Sequence, residues 1–105
     1  LCICEGWATG ASLHQHGGYA VAAAMNAGNL MPAAMGLRSR YPAQPIVVAG
    51  DDDRLTEGNP GRAAANAAAA AVGGEVAFPD WPDNAPESLT DFNDLANWKL
   101  ANGQA

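Results

Sequence analysis

Three consecutive carboxylates, Asp51-Asp52-Asp53, follow directly on the apolar run Ile46-Val47-Val48-Ala49-Gly50. Asp51 and Asp53 lie two apart, so in extended chain their side chains share a face and Asp52 points the other way. Two carboxylates held close repel, and a divalent cation relieves that repulsion. Hard oxygen donors of this kind suit Mg²⁺. Glu5 closes a second apolar run, Leu1 to Cys4, in the same manner. Alone at a strand end, a glutamate is a charge favoured by the dipole of the helix that follows. Beside Asp51 and Asp53 it is a candidate general acid, base or metal ligand.

A wider set of polar residues stands at similar positions. Gly6 permits a tight turn or the close approach of a ligand to backbone. Asn26, Gly28 and Asn29 form either a turn or a polar loop whose amides face phosphate at a helix start. Asp91 reads as a helix cap, and Asp94 lies one turn further on near the same face. Arg54 and Arg62 flank the acidic stretch, where they either touch phosphate or balance the acids. His14 and His16 read as surface helix residues. Trp7, Trp81 and Trp98 read as packing residues rather than as platforms for stacked bases.

Short alternating elements must position these groups. The expected strands are Leu1 to Cys4, Tyr19 to Ala23, Pro45 to Ala49 and Glu75 to Phe78. The third is β-branched and apolar on both faces, as a parallel strand covered on both sides should be. Between the strands lie helices from Trp7 to about His16, from Asn29 to about Arg40, and from Pro60 to Val72. Gly17-Gly18 closes the first, Tyr41-Pro42 stops the second, and Asn59-Pro60 starts the third. The third is almost all alanine, which favours helix and lets it lie close on a sheet. Arg54 to Gly58 reads as polar and flexible, Asp80 to Thr90 as loop, and Asp91 to Trp98 as a capped last helix. The order βαβαβαβ(α) predicts an α/β fold with a four-stranded, mainly parallel sheet and right-handed crossovers. Open sheets of this class bind ligands at the carboxyl ends of their strands, where Glu5 and the aspartates fall.

With 105 residues the chain suffices for one domain. Leu1 begins inside an apolar run, so the reading is a domain of residues 1–100 within a longer protein, with 101–105 as a tail. The net charge of −6, with only five Lys and Arg, argues against a surface that binds nucleic acid by neutralising phosphates itself. Cys2 and Cys4 are too close for a favourable disulfide and lack the partners of a zinc site. They read as buried thiols, consistent with a cytoplasmic location. No apolar run reaches membrane-spanning length.

The string of motifs resembles the Toprim domain. Glu5-Gly6-Trp7-Ala8-Thr9, Asn26-Ala27-Gly28-Asn29-Leu30, Gly50-Asp51-Asp52-Asp53, Asn59-Pro60-Gly61 and Asp91-Phe92-Asn93-Asp94 carry the likeness. It is similar above all to Toprim domains of plasmid and phage primases, often fused to helicases. The resemblance implies a Rossmann-like fold that binds Mg²⁺ or Mn²⁺. It implies Glu5 as general acid or base, Asp51 and Asp53 as metal ligands, and a lesser role for Asp52, where relatives often carry Asn. It further implies primer synthesis from ribonucleoside triphosphates on single-stranded DNA, with template and nucleotides held largely by other segments.

Three rivals share parts of the pattern. A Toprim nuclease or topoisomerase would use the same acids, although neither Tyr19 nor Tyr41 stands where a nucleophilic tyrosine is expected. A haloacid-dehalogenase phosphatase wants its Asp-x-Asp on the first strand, with a downstream lysine. Here the pair follows the third strand and the one lysine is Lys99. A receiver-like or other non-catalytic interaction domain would place its acid pair after the first strand, which carries only Glu5.

Overall fold

A computed structural model of the chain describes residues 1–18 and 20–103. Four strands, β1 (Cys2–Cys4), β2 (Val21–Ala23), β3 (Val47–Ala49) and β4 (Glu75–Ala77), form one sheet. Its order is β2-β1-β3-β4, and every pair is parallel. Four helices accompany it: α1 (Trp7–Gly17), α2 (Leu30–Arg40), α3 (Pro60–Val72) and α4 (Phe92–Ala101). A single 3₁₀ turn, Ala27–Asn29, leads into α2. The element order is the expected one. Each strand is shorter than its apolar run, and the start of the second run, Tyr19, lies outside the described residues.

The helices divide between the two faces of the sheet. Helices α2 and α3 pack together on one face, and α1 and α4 on the other. Alternation along the strands sorts the side chains accordingly. Ile3 and Val48 join Leu30, Ala34, Ala65 and Ala68 in the larger core. Cys2, Cys4 and Ala49 face Leu13, Val21 and Phe92 in the smaller one. Both cysteines are free and buried. Burial, followed by the negative charges of Cys2, Asp51, Asp91 and Glu5, pushes the Cys4 thiol up to about 12.

Local chemistry explains the ends of the helices. The αL residues Gly18 and Gly73 close α1 and α3. Arg38 secures the far end of α2 by donating to the carbonyls of Val72, Tyr41, Pro42 and Gln44, with the Gln44 bond at 2.6 Å. It thereby ties the end of α2 to the end of α3. The stripe Gly61, Ala65, Ala68, Ala69 and Val72 buries α3 against the sheet. The approach is close. A β-carbon on Gly50 would lie 2.6 Å from Ala65 Cβ and would clash with the Phe78 ring.

Candidate active site

The strand order reverses between β1 and β3. Their register pairs Cys4 with Ala49, so the chain beyond them, Glu5 on one side and Gly50-Asp51 on the other, leaves the sheet side by side. This is the crevice where open α/β sheets receive ligands. Asp51 sits in it half-buried. Burial, then the charges of Glu5, Asp91 and Asp53 and a hydrogen bond with Glu5, push its carboxyl up to about 7. Its Oδ1 is buried and has no hydrogen-bond partner.

Asp53 and Asp52 turn to different tasks. Asp53 Oδ2 accepts from the Gly61 N–H at 2.7 Å, at the start of α3, where the helix dipole favours a negative charge. Asp52 is buried. Its carboxylate accepts from Arg62 Nε at 3.0 Å and Nη2 at 3.4 Å, Asn59 Nδ2 at 2.7 Å and Trp81 Nε1 at 3.1 Å. Burial alone would raise its pKa. The bonds from Arg62, Asn59 and Trp81, with the Arg62 charge, outweigh burial and hold it below the usual carboxylate range. The Asp52 N–H donates to the Thr90 carbonyl at 2.6 Å, so the 79–90 loop is fastened to the same residue. Asn59 completes the clamp. It adopts a left-handed conformation with φ 41°, and its Oδ1 accepts from the Asp53 and Arg62 N–H groups.

The remaining residues divide between turn chemistry and proximity to Asp51. Asn26 caps the 3₁₀ turn through the Asn29 N–H at 3.0 Å. Asn29, where the second helix was expected to begin, makes no side-chain cap for α2 and instead donates from Nδ2 to the Ala24 carbonyl at 3.0 Å. The 3₁₀ turn shifts the capping role three residues back. Asp91 and Asp94 form a reciprocal capping box at the start of α4. The same placement brings the Asp91 charge close enough to raise Asp51. Gly6 sits at the N-terminal cap of α1, and a β-carbon there would meet nothing within 4 Å.

Two expectations need correction. Arg54, placed in a flexible stretch, is anchored: Nη2 donates to the Pro86 carbonyl at 2.9 Å, and the guanidinium lies 4.5 Å from the Trp81 ring centroid. Trp7, read as a packing residue, is 70% exposed. The buried side of α1 is made by Thr9, Gly10 and Ser12, small residues that leave no room for an indole. Sequence reasoning also passed over Asn59, Trp81 and Gly61 as site residues. The Asn59-Pro60-Gly61 motif was the signal for Asn59 and Gly61, a helix start close behind an acidic strand end, whereas nothing in the sequence marked Trp81.

Among the described residues, no three His, Cys, Asp or Glu side chains are gathered into a cage that could hold a metal ion. The donor chemistry nevertheless fits a hard cation. Glu5 and Asp51 offer only oxygen, and the buried Asp51 Oδ1 is unpartnered.

A parallel sheet with helices on both faces and carboxylates at its reversal point defines an α/β domain of the Rossmann-like class, with an acidic site. The family model for the Toprim domain matches residues 1–102, and the chain belongs to that family. Over 83 residues it is 48% identical to each of two Escherichia coli proteins called DNA primase TraC. Those matches cover 75% of this chain but only 6% and 8% of the relatives. No solved structure matches.

Proposed function

We propose that this chain is the metal-dependent catalytic domain of a DNA primase. It would serve RNA primer synthesis on single-stranded DNA during replication of a plasmid, phage or integrated element, in the cytoplasm. The observation that carries the reading is the juxtaposition of Glu5 and Asp51 at the reversal point of the sheet. The identity to two DNA primases over most of the chain supports it.

Glu5 and Asp51 would hold Mg²⁺ or Mn²⁺, with Asp53 contributing through the oxygen not engaged by Gly61. When bound, the ion neutralises phosphate charge and lowers the pKa of an attacking hydroxyl. The protein's own part is to hold these carboxylates in place and to manage their protons. A carboxyl raised to about 7 keeps a proton near neutrality, so Asp51 and Glu5 coexist without a full pair of charges. Glu5, at the end of the neighbouring strand, would accept a proton from an incoming hydroxyl or return one to a leaving group. Ribonucleoside triphosphates, the template strand, and helicase or other primase domains are the partners of the intact polypeptide. A nuclease of the same family would use the same acids, and the reaction product distinguishes the two.

Titration with Mg²⁺ and Mn²⁺, by calorimetry or paramagnetic NMR, compares the wild type with the double variant Asp51→Ala, Asp53→Ala. Binding in the millimolar range or tighter, lost in the variant, is expected. Priming assays on the intact polypeptide then follow. A folded wild type that binds neither ion, with or without nucleic acid, overturns the proposal.

A further inference from the structure

Trp7 is the first residue of α1, two positions beyond Glu5, and its side chain is 70% exposed. A groove of about 190 Å³ opens beside it between α1 and the edge strand β2, lined by Trp7, Gly10, Ala11, His14, Val21 and Ala23. Met25, 66% exposed, donates its N–H to the Glu5 carbonyl at 2.6 Å. It has φ 80°, a conformation uncommon for an L-residue. Two large apolar side chains thus stand in solvent close to Glu5 along the chain and through a backbone bond.

We propose that Trp7 is a stacking platform for an unpaired nucleobase, which lies against the indole at the mouth of the α1–β2 groove. The proposal rests on the reading of this site as one for phosphodiester chemistry, and it adds how the domain grips its substrate. Charge supplies the argument. The chain carries a net charge of −6. Among the described residues, the arginines nearest the acidic loop have internal partners. Arg62 is paired with Asp52, and Arg54 is held by the Pro86 carbonyl and the Trp81 ring. Arg38 serves four backbone carbonyls at the carboxyl end of α2, and Arg40, the last residue of that helix, lies 5.8 Å from the Tyr41 ring centroid. Lys99 lies on α4, along a different groove. Attraction to phosphate, which dominates the affinity of most nucleic-acid-binding surfaces, is therefore poorly supplied here. The face of a base carries no charge and stacks on an indole whatever its sequence.

The test is ¹⁹F NMR of the chain labelled with 5-fluorotryptophan, whose three resonances are assigned with the variants Trp7→Phe, Trp81→Phe and Trp98→Phe. A short oligothymidylate is titrated in one arm and adenosine monophosphate in the other. The first expected result is a shift of the Trp7 resonance. Trp7→Leu should weaken binding about tenfold, and Trp7→Phe should restore most of it. The dependence of binding on salt should be far shallower than about 0.7 log units per phosphate neutralised. Response in the oligonucleotide arm assigns the base to a strand, and response in the monophosphate arm assigns it to a nucleotide. The proposal is overturned if the Trp7 resonance stays still in both arms. It is equally overturned if Trp7→Leu binds as tightly as the wild type. Mn²⁺ titration of the wild type judges the metal site separately. An ion bound without response at Trp7 removes the stacking proposal alone. A response at Trp7 without ion binding removes the metal reading alone.

Discussion

Removing the Asp52 carboxylate should damage the domain more than removing its arginine partner. The two ends of the ion pair are unequal: the Asp52 side chain is 5% exposed, and that of Arg62 is 46% exposed. In Asp52→Ala, Arg62 rehydrates where it stands, so the loss of an exposed charge pair contributes no more than about 1 kcal/mol. Asn59 Nδ2 and Trp81 Nε1 have no such escape. Each loses its acceptor in a partly buried setting, at about 1–3 kcal/mol for an unmet donor. We expect Asp52→Ala to lower stability by roughly 2–4 kcal/mol. For a chain of this length that corresponds to a fall in Tm of about 10–25 °C. Arg62→Ala takes the counter-charge from a buried carboxylate but leaves it the neutral donors of Asn59 and Trp81, and it forfeits the guanidinium 4.1 Å from the Phe78 ring centroid. Because Arg62 is 46% exposed, water can take its place beside Asp52, and the expected effect is about 1–2 kcal/mol. Urea unfolding followed by circular dichroism measures both. The difference between wild type and Asp52→Ala should shrink as pH falls below the ordinary carboxylate range. A group whose folded pKa is lowered contributes stability above its unfolded value and loses it as it takes up a proton. Equal losses for the two variants, or a loss under about 1 kcal/mol for Asp52→Ala, would refute the clamp as described.

Three further outcomes test the site from other directions. Asp51 has the opposite pH signature: its folded pKa of about 7 lies above the ordinary value of 3.8, so its contribution is full below the latter and lost as pH rises through the former. Metal-free wild type should therefore lose Tm between about pH 4 and 7 relative to Asp51→Asn (the window lies between these two values), and identical profiles would dismiss the crowding of Asp51. Gly61→Ala should destabilise by at least about 1–3 kcal/mol, because its Cβ would lie 2.5 Å from the Asp51 carbonyl and 2.8 Å from Asp53 Oδ2; unfolding curves that superimpose on those of the wild type would contradict that approach. Asp91→Ser keeps a helix cap while deleting the carboxylate, so stability should stay within about 0.5 kcal/mol while Mn²⁺ affinity changes; unchanged affinity would place Asp91 outside the metal site.

The fold was largely legible because its punctuation is strong. Asn59-Pro60 and Gly73-Gly74 bracket α3 at the expected residues, Pro60–Val72. Asp91 caps α4 as its sequence context suggested. Strand order was not legible, since right-handed crossovers fix handedness and not order; it is the pairing of β1 with β3 that brings Glu5 beside Asp51. The division of labour among Asp51, Asp52 and Asp53 was not legible. It depends on how the chain turns after β3, and that turn is set by distant residues: Asn59, Trp81 and Thr90. The exposure of Trp7 was hidden for a different reason. The buried face of α1 consists of Thr9, Gly10 and Ser12, so hydropathy does not mark which side meets the sheet. An alanine-rich or small-residue helix can pack either way on that criterion, and only the register on β1 and β2 decides.

An acidic domain with the proposed polyanionic substrate would have two electrostatic problems to solve. The first is to keep its own carboxylates together, and the chain does this with different devices at adjacent positions. Asp52 is balanced by Arg62 and two neutral donors, Asp53 by the start of a helix, and Asp51 has its pKa pushed up to about 7 by burial and the neighbouring carboxylates. Asp51 therefore holds the charge that pH most readily changes near neutrality, and its proton is the one that a cation would displace. The second problem is attraction. With Arg62 and Arg54 engaged inside the protein, phosphate approaching this crevice meets net negative charge until a cation is present. Affinity for substrate and affinity for metal should then be linked, each raising the other by the same factor. The stacking face of Trp7 would supply the part of that affinity which depends on neither salt nor metal.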